Sequence, residues 1–403
     1  MRVPFLDLLR QYHELEAEIN AASQMTLLRG VYILGEEVTA FEREWAAYCG
    51  VNACAGVGNG TDAPALALLA CGIQPGDEVI TTPLTAGYTA LAIRQAGAVP
   101  VFADIDPHTF TLDPSAIEAA ITQRTKAIMP VHLYGQMANM PAICALAEQH
   151  GLVVIEDAAQ AHGASWQGVR AGGYGHAATF SFYPTKNLGA FGDGGAVVSN
   201  DEALIERVKL LRQGGHLAAL QGTTVGMNSR LDELHAAMLR VKLRHLDAWT
   251  QRRQQIAERY YQALSLRNAT TKKRRARSES EDVSDFFPPS SCSSFLRGES
   301  LLLESELTAP AIAAQAEHVF HLFVAQSAQR EQCRAQLAER GIETLIHYPY
   351  LLHQQPLFKR AEQPPLPVAE AVVNRIFSLP LNPQMTEAEI GYVIETIVNL
   401  ELN

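Results

Sequence analysis

The sequence predicts an α/β fold, a mostly parallel central sheet flanked by helices, followed by a smaller α+β C-terminal domain. Between residues 52 and 199, short apolar runs alternate with helical patterns, which is how βαβ units read. Beyond Gly226 the pattern changes to a long stretch with apolar residues at helical spacing and arginines and lysines on the other face. The length, 403 residues at 47% hydrophobic and 19% charged, allows a large core and two domains.

The strands are expected at Asn52 to Val57, Glu78 to Thr82, Val99 to Ile105, Lys126 to Leu133, Leu152 to Ile155, Ala177 to Phe182 and Gly195 to Ser199. A sheet of this kind binds ligands beyond the carboxyl ends of its strands. Gly58 to Asp62, Asp157 and Ser181 to Lys186 each follow such an end, so three motifs converge on one edge. A connecting helix, Leu231 to Leu264, then leads into the smaller domain. That domain holds a strand at His318 to Val324, a helix at Ala328 to Arg340 and a Tyr/His/Pro-rich loop at Thr344 to Pro356. The expected division is residues 1–235 and 236–403. Residues 268–306 are dense in Ser, Arg and Glu with little periodicity, and are expected to be a solvated, disordered insertion or a stretch read in a shifted frame. A basic run, Lys272 to Arg277, is followed at once by an acidic one, Glu279 to Asp282, which neutralises it.

A formal charge of -11, from 32 basic and 43 acidic side chains, argues against nucleic acid as the main partner. The six cysteines form no C-x-x-C and no zinc-like spacing with histidine, so reduced thiols and no metal site are expected. Charges interrupt the first ten residues before a signal-peptide core can form, and no run is long and apolar enough to span a bilayer. The expectation is a cytoplasmic protein with no membrane partner.

The chemistry lies in the convergent motifs. Gly58-Asn-Gly60-Thr61-Asp62 opens the helix Ala63 to Cys71, whose amides and dipole favour an anion, although taken alone it reads first as a Gly-rich turn with Asp62 as a plain helix cap. Asp157 ends Val153-Val-Ile-Glu-Asp157, and Gln160 follows one turn on. Lys186 lies in Phe180-Ser-Phe-Tyr-Pro-Thr-Lys186-Asn-Leu-Gly189. An amine able to form a Schiff base, with a carboxylate able to keep a pyridine nitrogen protonated, is what holding pyridoxal phosphate requires. A free lysine is uncharged in only about one molecule in two thousand near neutral pH, a penalty that covalent attachment to an aldehyde removes.

Gly-Thr-Asp, Val-Ile-Glu-Asp-Ala-Ala-Gln, Phe-Ser-Phe-Tyr-Pro-Thr-Lys-Asn-Leu-Gly and Gly226-Met-Asn228-Ser-Arg230-Leu-Asp-Glu-Leu together resemble the DegT-type nucleotide-sugar aminotransferases. The resemblance covers nearly the whole chain except residues 268–306. It implies a fold-type-I pyridoxal phosphate transferase with an internal aldimine at Lys186, a pyridinium partner at Asp157 and Gln160 beside the ring hydroxyl. Phosphate contacts are implied from Gly60, Thr61, Asp62 and Ser181, and from Asn228 of a second copy, hence a homodimer with shared active sites. Where the family usually places an aromatic after the equivalent of Thr85, this chain has Ala86-Gly87-Tyr88, so Tyr88 is expected to take over stacking on the ring.

The activity so implied is transfer of an amino group from glutamate to a keto group of a dTDP-linked deoxysugar, by ping-pong kinetics. The segment Pro130-Val-His132-Leu-Tyr-Gly-Gln136 is most like relatives that aminate C3. The alternatives are amination at C4 of a nucleotide sugar, amination of a keto-cyclitol, and a non-catalytic sensor or regulator on the same scaffold.

Overall fold

A computed structural model of the chain describes residues 1–215, 224–281, 307–359 and 363–402. Helices α1 (Leu8–Arg29) and α2 (Glu36–Cys49) lead into β1 (Ala53–Val57), α3 (Asp62–Ala70), β2 (Glu78–Thr81), α4 (Gly87–Gln95) and β3 (Val99–Phe102). There follow α5 (Pro114–Ala120), β4 (Thr125–Met129), α6 (Met140–His150), β5 (Val153–Asp157), the short β6 (Ser165–Trp166) and β7 (Val169–Arg170), β8 (Ala177–Ser181), β9 (Gly195–Ser199) and α7 (Glu202–Leu211). The central sheet has the order β1-β9-β8-β5-β4-β2-β3. Neighbours are parallel except β9, which runs against both β1 and β8. The expected strands are all present, and the carboxyl ends of β1, β5 and β8 open on one edge.

The side-chain period of two sorts each strand between two cores. Phe180 and Phe182 pack edge-on against Trp45 of α2, at 5.0 and 5.6 Å between ring centroids. On the other face Ile155 and Val197 meet Leu66 and Leu68 of α3 and Ile205 of α7. Helix α3 is buried nearly all round, which its uninterrupted Ala/Leu/Pro composition permits. Alternation therefore sends Glu156 towards α2 and α6, and Asp157 towards α3 and α4.

Two helices, α8 (Glu233–Leu243) and α9 (Leu246–Glu281), replace the single connecting helix expected. Helix α9 also runs into the stretch expected to be disordered. Residues 268–281 contain no Gly or Pro and are rich in Lys, Arg, Ala and Glu, so nothing local stops the helix; residues 282–306 lie outside the described residues. The expected solvated face is also not uniformly solvated, because Lys242, Arg253 and Arg267 are buried at 3%, 5% and 2% exposure.

The C-terminal part contains β10 (Ala316–Glu317), β11 (Phe323–Gln326), α10 (Arg330–Glu339), α11 (Pro367–Val372), β12 (Ile376–Leu379) and α12 (Glu387–Val398). Strand β10 pairs with β6, and β11 pairs antiparallel with β12. Its core, Tyr260, Phe323, Phe377 and Ile390 among others, also takes in Val3, whose backbone bridges Ile342. Among the described residues no helix is long and apolar enough to cross a membrane.

Candidate active site

Asp157 is locked at the end of β5. Its N–H donates to Pro130 O at 2.9 Å and its carbonyl accepts the His132 N–H at 2.9 Å. The carboxylate is 6% exposed. Oδ2 accepts the Thr89 hydroxyl at 2.7 Å and Oδ1 accepts the Ala159 N–H at 3.2 Å. One residue back, Glu156 is fully buried and accepts from His132 Nε2 (2.8 Å) and from the amides of Gly172 (3.0 Å), Tyr174 (3.1 Å) and Gly175 (2.8 Å). Burial alone would raise its pKa, but the His132 bond and the glycine amides outweigh it and the pKa falls.

Lys186 sits in the turn after β8, closed by its own N–H to Tyr183 O (2.9 Å) and by the Ala190 N–H to Phe182 O (2.7 Å). A Cβ on Gly189 would lie 2.4 Å from Pro184 O, so only glycine allows this turn. The lysine keeps part of its surface open, yet burial lowers its pKa to about 8, against a smaller upward pull from Asp157. Its amine has no hydrogen-bond or ion-pair partner among the described residues. Three histidines feel its charge. Burial first and Lys186 second push His162 to about 3 and His347 to about 4, and hold His321 well below its usual range. All three are neutral imidazoles at pH 7, so Lys186 is the titrating cation among them.

The glycine-rich turn meets β8 closely, since a Cβ on Gly60 would lie 2.4 Å from Ser181 Cβ. The Asp62 carboxylate, read from sequence as a cap, does not take the first amides of α3; Asn59 does. Asn59 Oδ1 accepts the N–H groups of Thr61 (2.9 Å) and Asp62 (2.8 Å), and its Nδ2 donates to Asp62 Oδ2 at 2.9 Å. An Asx side chain two residues earlier reaches those amides more easily than Asp62 reaches its own. The Thr61 hydroxyl has no partner among the described residues. Ser181 Oγ accepts the Tyr183 N–H at 3.3 Å, which leaves its hydroxyl proton free to donate. Two hydroxyls with a proton to donate, those of Thr61 and Ser181, adjoin Gly60, where a side chain has no room.

Gln160 is buried and engaged at both ends of its amide. Oε1 accepts the Tyr134 N–H at 2.7 Å and Nε2 donates to Tyr348 Oη at 2.7 Å, with one N–H to spare. Asn187 ties the lysine turn to the C-terminal part through Val319 O (3.0 Å) and His321 Nδ1 (3.2 Å). Two of the residues expected at the site are exposed. Tyr88, the second residue of α4, is 63% exposed, and Asn228 is exposed, its backbone bridging Gln213 while Ser229 Oγ accepts the Gly58 N–H at 2.9 Å.

These groups fit pyridoxal phosphate. The Thr61 and Ser181 hydroxyls beside Gly60 can donate to a phosphate, Asp157 presents a carboxylate that already accepts two hydrogen bonds, and Lys186 supplies an unpaired amine of lowered pKa. Sequence reasoning did not single out Asn59, Thr89, Asn187, His321 or Tyr348. Thr89 was findable one residue past Tyr88, and Tyr348 within the Tyr/His/Pro-rich loop; the others depend on tertiary contacts.

Residues 13–294 and 299–398 match the DegT/DnrJ/EryC1/StrS aminotransferase family. The chain is 43% identical over 399 residues to the "Pleiotropic regulatory protein" of Geobacillus stearothermophilus, covering 98% of each. It is 43% identical over 401 residues to the dTDP-3-amino-3,4,6-trideoxy-alpha-D-glucose transaminase of Streptomyces venezuelae, covering 98% of this chain and 95% of that one. The crystal structure of S. venezuelae DesV with a ketimine intermediate superposes with a TM-score of 0.86 at 42% identity, over 98% of both chains.

Proposed function

Because the chain belongs to the DegT/DnrJ/EryC1/StrS aminotransferase family, we propose that it moves an amino group from glutamate to the C3 keto group of a dTDP-linked deoxysugar, using pyridoxal phosphate. The observation that carries the reading is the unpaired Lys186 amine, its pKa lowered to about 8, in the field of an Asp157 held by two donors. The name of the S. venezuelae relative, a dTDP-3-amino-3,4,6-trideoxy-alpha-D-glucose transaminase, supports C3.

When bound, pyridoxal phosphate supplies an aldehyde that condenses with amines and a ring that draws the electron pair from a C–H bond. Asp157 would hold the proton on the ring nitrogen, and Thr89 with the Ala159 amide keeps the carboxylate in place to do so. Lys186 would hold the aldehyde and would accept and return a proton at Nζ. Gly60, Thr61, Asp62 and Ser181 would hold the phosphate, Gln160 the hydroxyl side of the ring, and Tyr88 would cover its face. Asn228 of a second copy would complete the phosphate site. The exposed Met25, Leu27, Leu28, Val31 and Tyr32 at and beyond the end of α1 give a homodimer apolar surface to bury. Residues 1–235 would form the cofactor domain and 236–403 the smaller one, in a cytoplasmic enzyme.

Purified protein should be yellow, and glutamate should bleach the colour. Single-turnover decay with matched dTDP-3-keto and dTDP-4-keto sugars then reads the position. Faster decay with the 4-keto sugar rejects C3, and no decay with either points to a keto-cyclitol. The name of the G. stearothermophilus relative favours a second reading, a non-catalytic regulator. A sensor has no use for a partly neutral buried amine, and a colour unmoved by glutamate and sugar would select it.

A further inference from the structure

The turn that carries Lys186 is gripped from outside the site by one face of α8. Lys242 Nζ donates to Gly189 O at 2.7 Å and stands 4.2 Å from the centroid of the Phe191 ring. Two helical turns earlier, His235 Nδ1 lies 3.0 Å from Asp193 O, and a Cβ on Gly192 would come within 2.7 Å of the His235 ring. Residues seven apart share a helix face, so α8 holds both ends of 189–193, the segment that returns the chain from the lysine turn to β9. Phe191 is further packed by Tyr12 of α1, at 6.2 Å in an edge-on pair.

Lys242 is 3% exposed and has no carboxylate partner among the described residues. Burial pushes its pKa down to about 8. A buried ammonium held only by a carbonyl and a ring face costs stability relative to an apolar side chain of similar size. Packing alone would be better served by Met. What the ammonium does that Met cannot is donate to Gly189 O, at the closing end of the tight turn Pro184 to Gly189.

We propose that Lys242 is a positioning residue that fixes the Lys186 turn through Gly189 O, so that the Lys186 amine is held for the cofactor before the cofactor arrives. This rests on the reading that Lys186 is the reactive amine. The sign of the linkage separates the role from ordinary structural support. Below about pH 8 Lys242 is charged in the folded protein and its burial opposes folding, so removing the charge should not lower the melting temperature at pH 7.

The experiment is hydrogen exchange on cofactor-free protein, wild type against Lys242→Met and Lys242→Gln, read on the peptide 182–191 whose Lys186 and Ala190 amides close the turn. In the Met variant these amides should exchange about tenfold faster, with β8 and β9 unchanged and the melting temperature at pH 7 not reduced. Gln, which can still donate to Gly189 O, should restore protection to within about threefold. On loading, the Met variant should also lose bound cofactor faster during gel filtration. Unchanged exchange in the Met variant overturns the proposal, as does a fall in melting temperature with β8 and β9 opening in step. Because the primary reading needs neither cofactor nor sugar, it stands apart from the spectral test of the aminotransferase reading.

Discussion

The pH dependence of cofactor capture tests the state of Lys186. With a pKa of about 8, about one amine in ten is neutral at pH 7, some two hundredfold more than for an ordinary lysine. The largest cause is burial, and Asp157 opposes it. Cofactor-free protein mixed with pyridoxal phosphate in a stopped-flow instrument should capture it about tenfold faster per pH unit at low pH, then level off near pH 8. The same profile on a free alkylamine corrects for titration of the reagent itself. In Asp157→Asn the burial persists and the opposing pull is gone, so the break should move below that of the wild type. Thr89→Ala keeps the carboxylate and should leave the break near pH 8. A wild-type rate still climbing steeply beyond about pH 9.5 would mean an ordinary solvated lysine. A break that moves upward in Asp157→Asn would refute the coupling of the two residues.

Gly60→Ala places a methyl 2.4 Å from Ser181 Cβ, so binding of pyridoxal phosphate should weaken at least about tenfold while pyridoxal, lacking the phosphate, is little affected; equilibrium titration of both compares them. Glu156→Gln leaves His132 and three backbone amides facing a group that can no longer accept from all of them, and should cost about 3–5 kcal/mol in urea unfolding. Mixed Lys186→Ala and Asn228→Asp subunits, each inactive alone, should regain activity once exchange forms heterodimers; proven exchange without recovery would place Asn228 in its own subunit's site.

The sheet was legible because its strands are short apolar runs punctuated by Gly, Pro and Asp, and buried parallel strands carry that pattern whatever surrounds them. Asp157 and Lys186 were legible because each directly follows such a run. The cap of α3 was not. Asn59 and Asp62 are both good caps within one turn, and the choice depends on the path of the backbone after β1, which periodicity does not encode. Nor was the reach of α9, where a composition typical of solvated segments is equally a composition of good helix formers.

The buried cations of α8 and α9 mark a deeper limit. Lys242, Arg253 and Arg267 occupy positions where a helical pattern predicts a solvated face, yet each turns inward to backbone oxygen: Lys242 to Gly189, Arg253 to Phe320 (3.2 Å) and Leu381 (3.0 Å), Arg267 to Leu400 (3.3 Å). Pattern reading assigns a charge to water unless an opposite charge can be found for it. For Lys242 and Arg253 the hydrogen-bond partners are carbonyls remote in sequence, which carry no residue-type signal at all, while Arg267 also reaches the side-chain oxygen of its neighbour Asn268. Arg253 joins the start of β11 to the end of β12, and Lys242 joins α8 to the lysine turn, so these cations sit at joints between segments. Their aliphatic stems satisfy the apolar period while their heads donate at the joint. That is why the connecting helix could be found in the sequence while the contact by which it reaches the Lys186 turn at Gly189 could not.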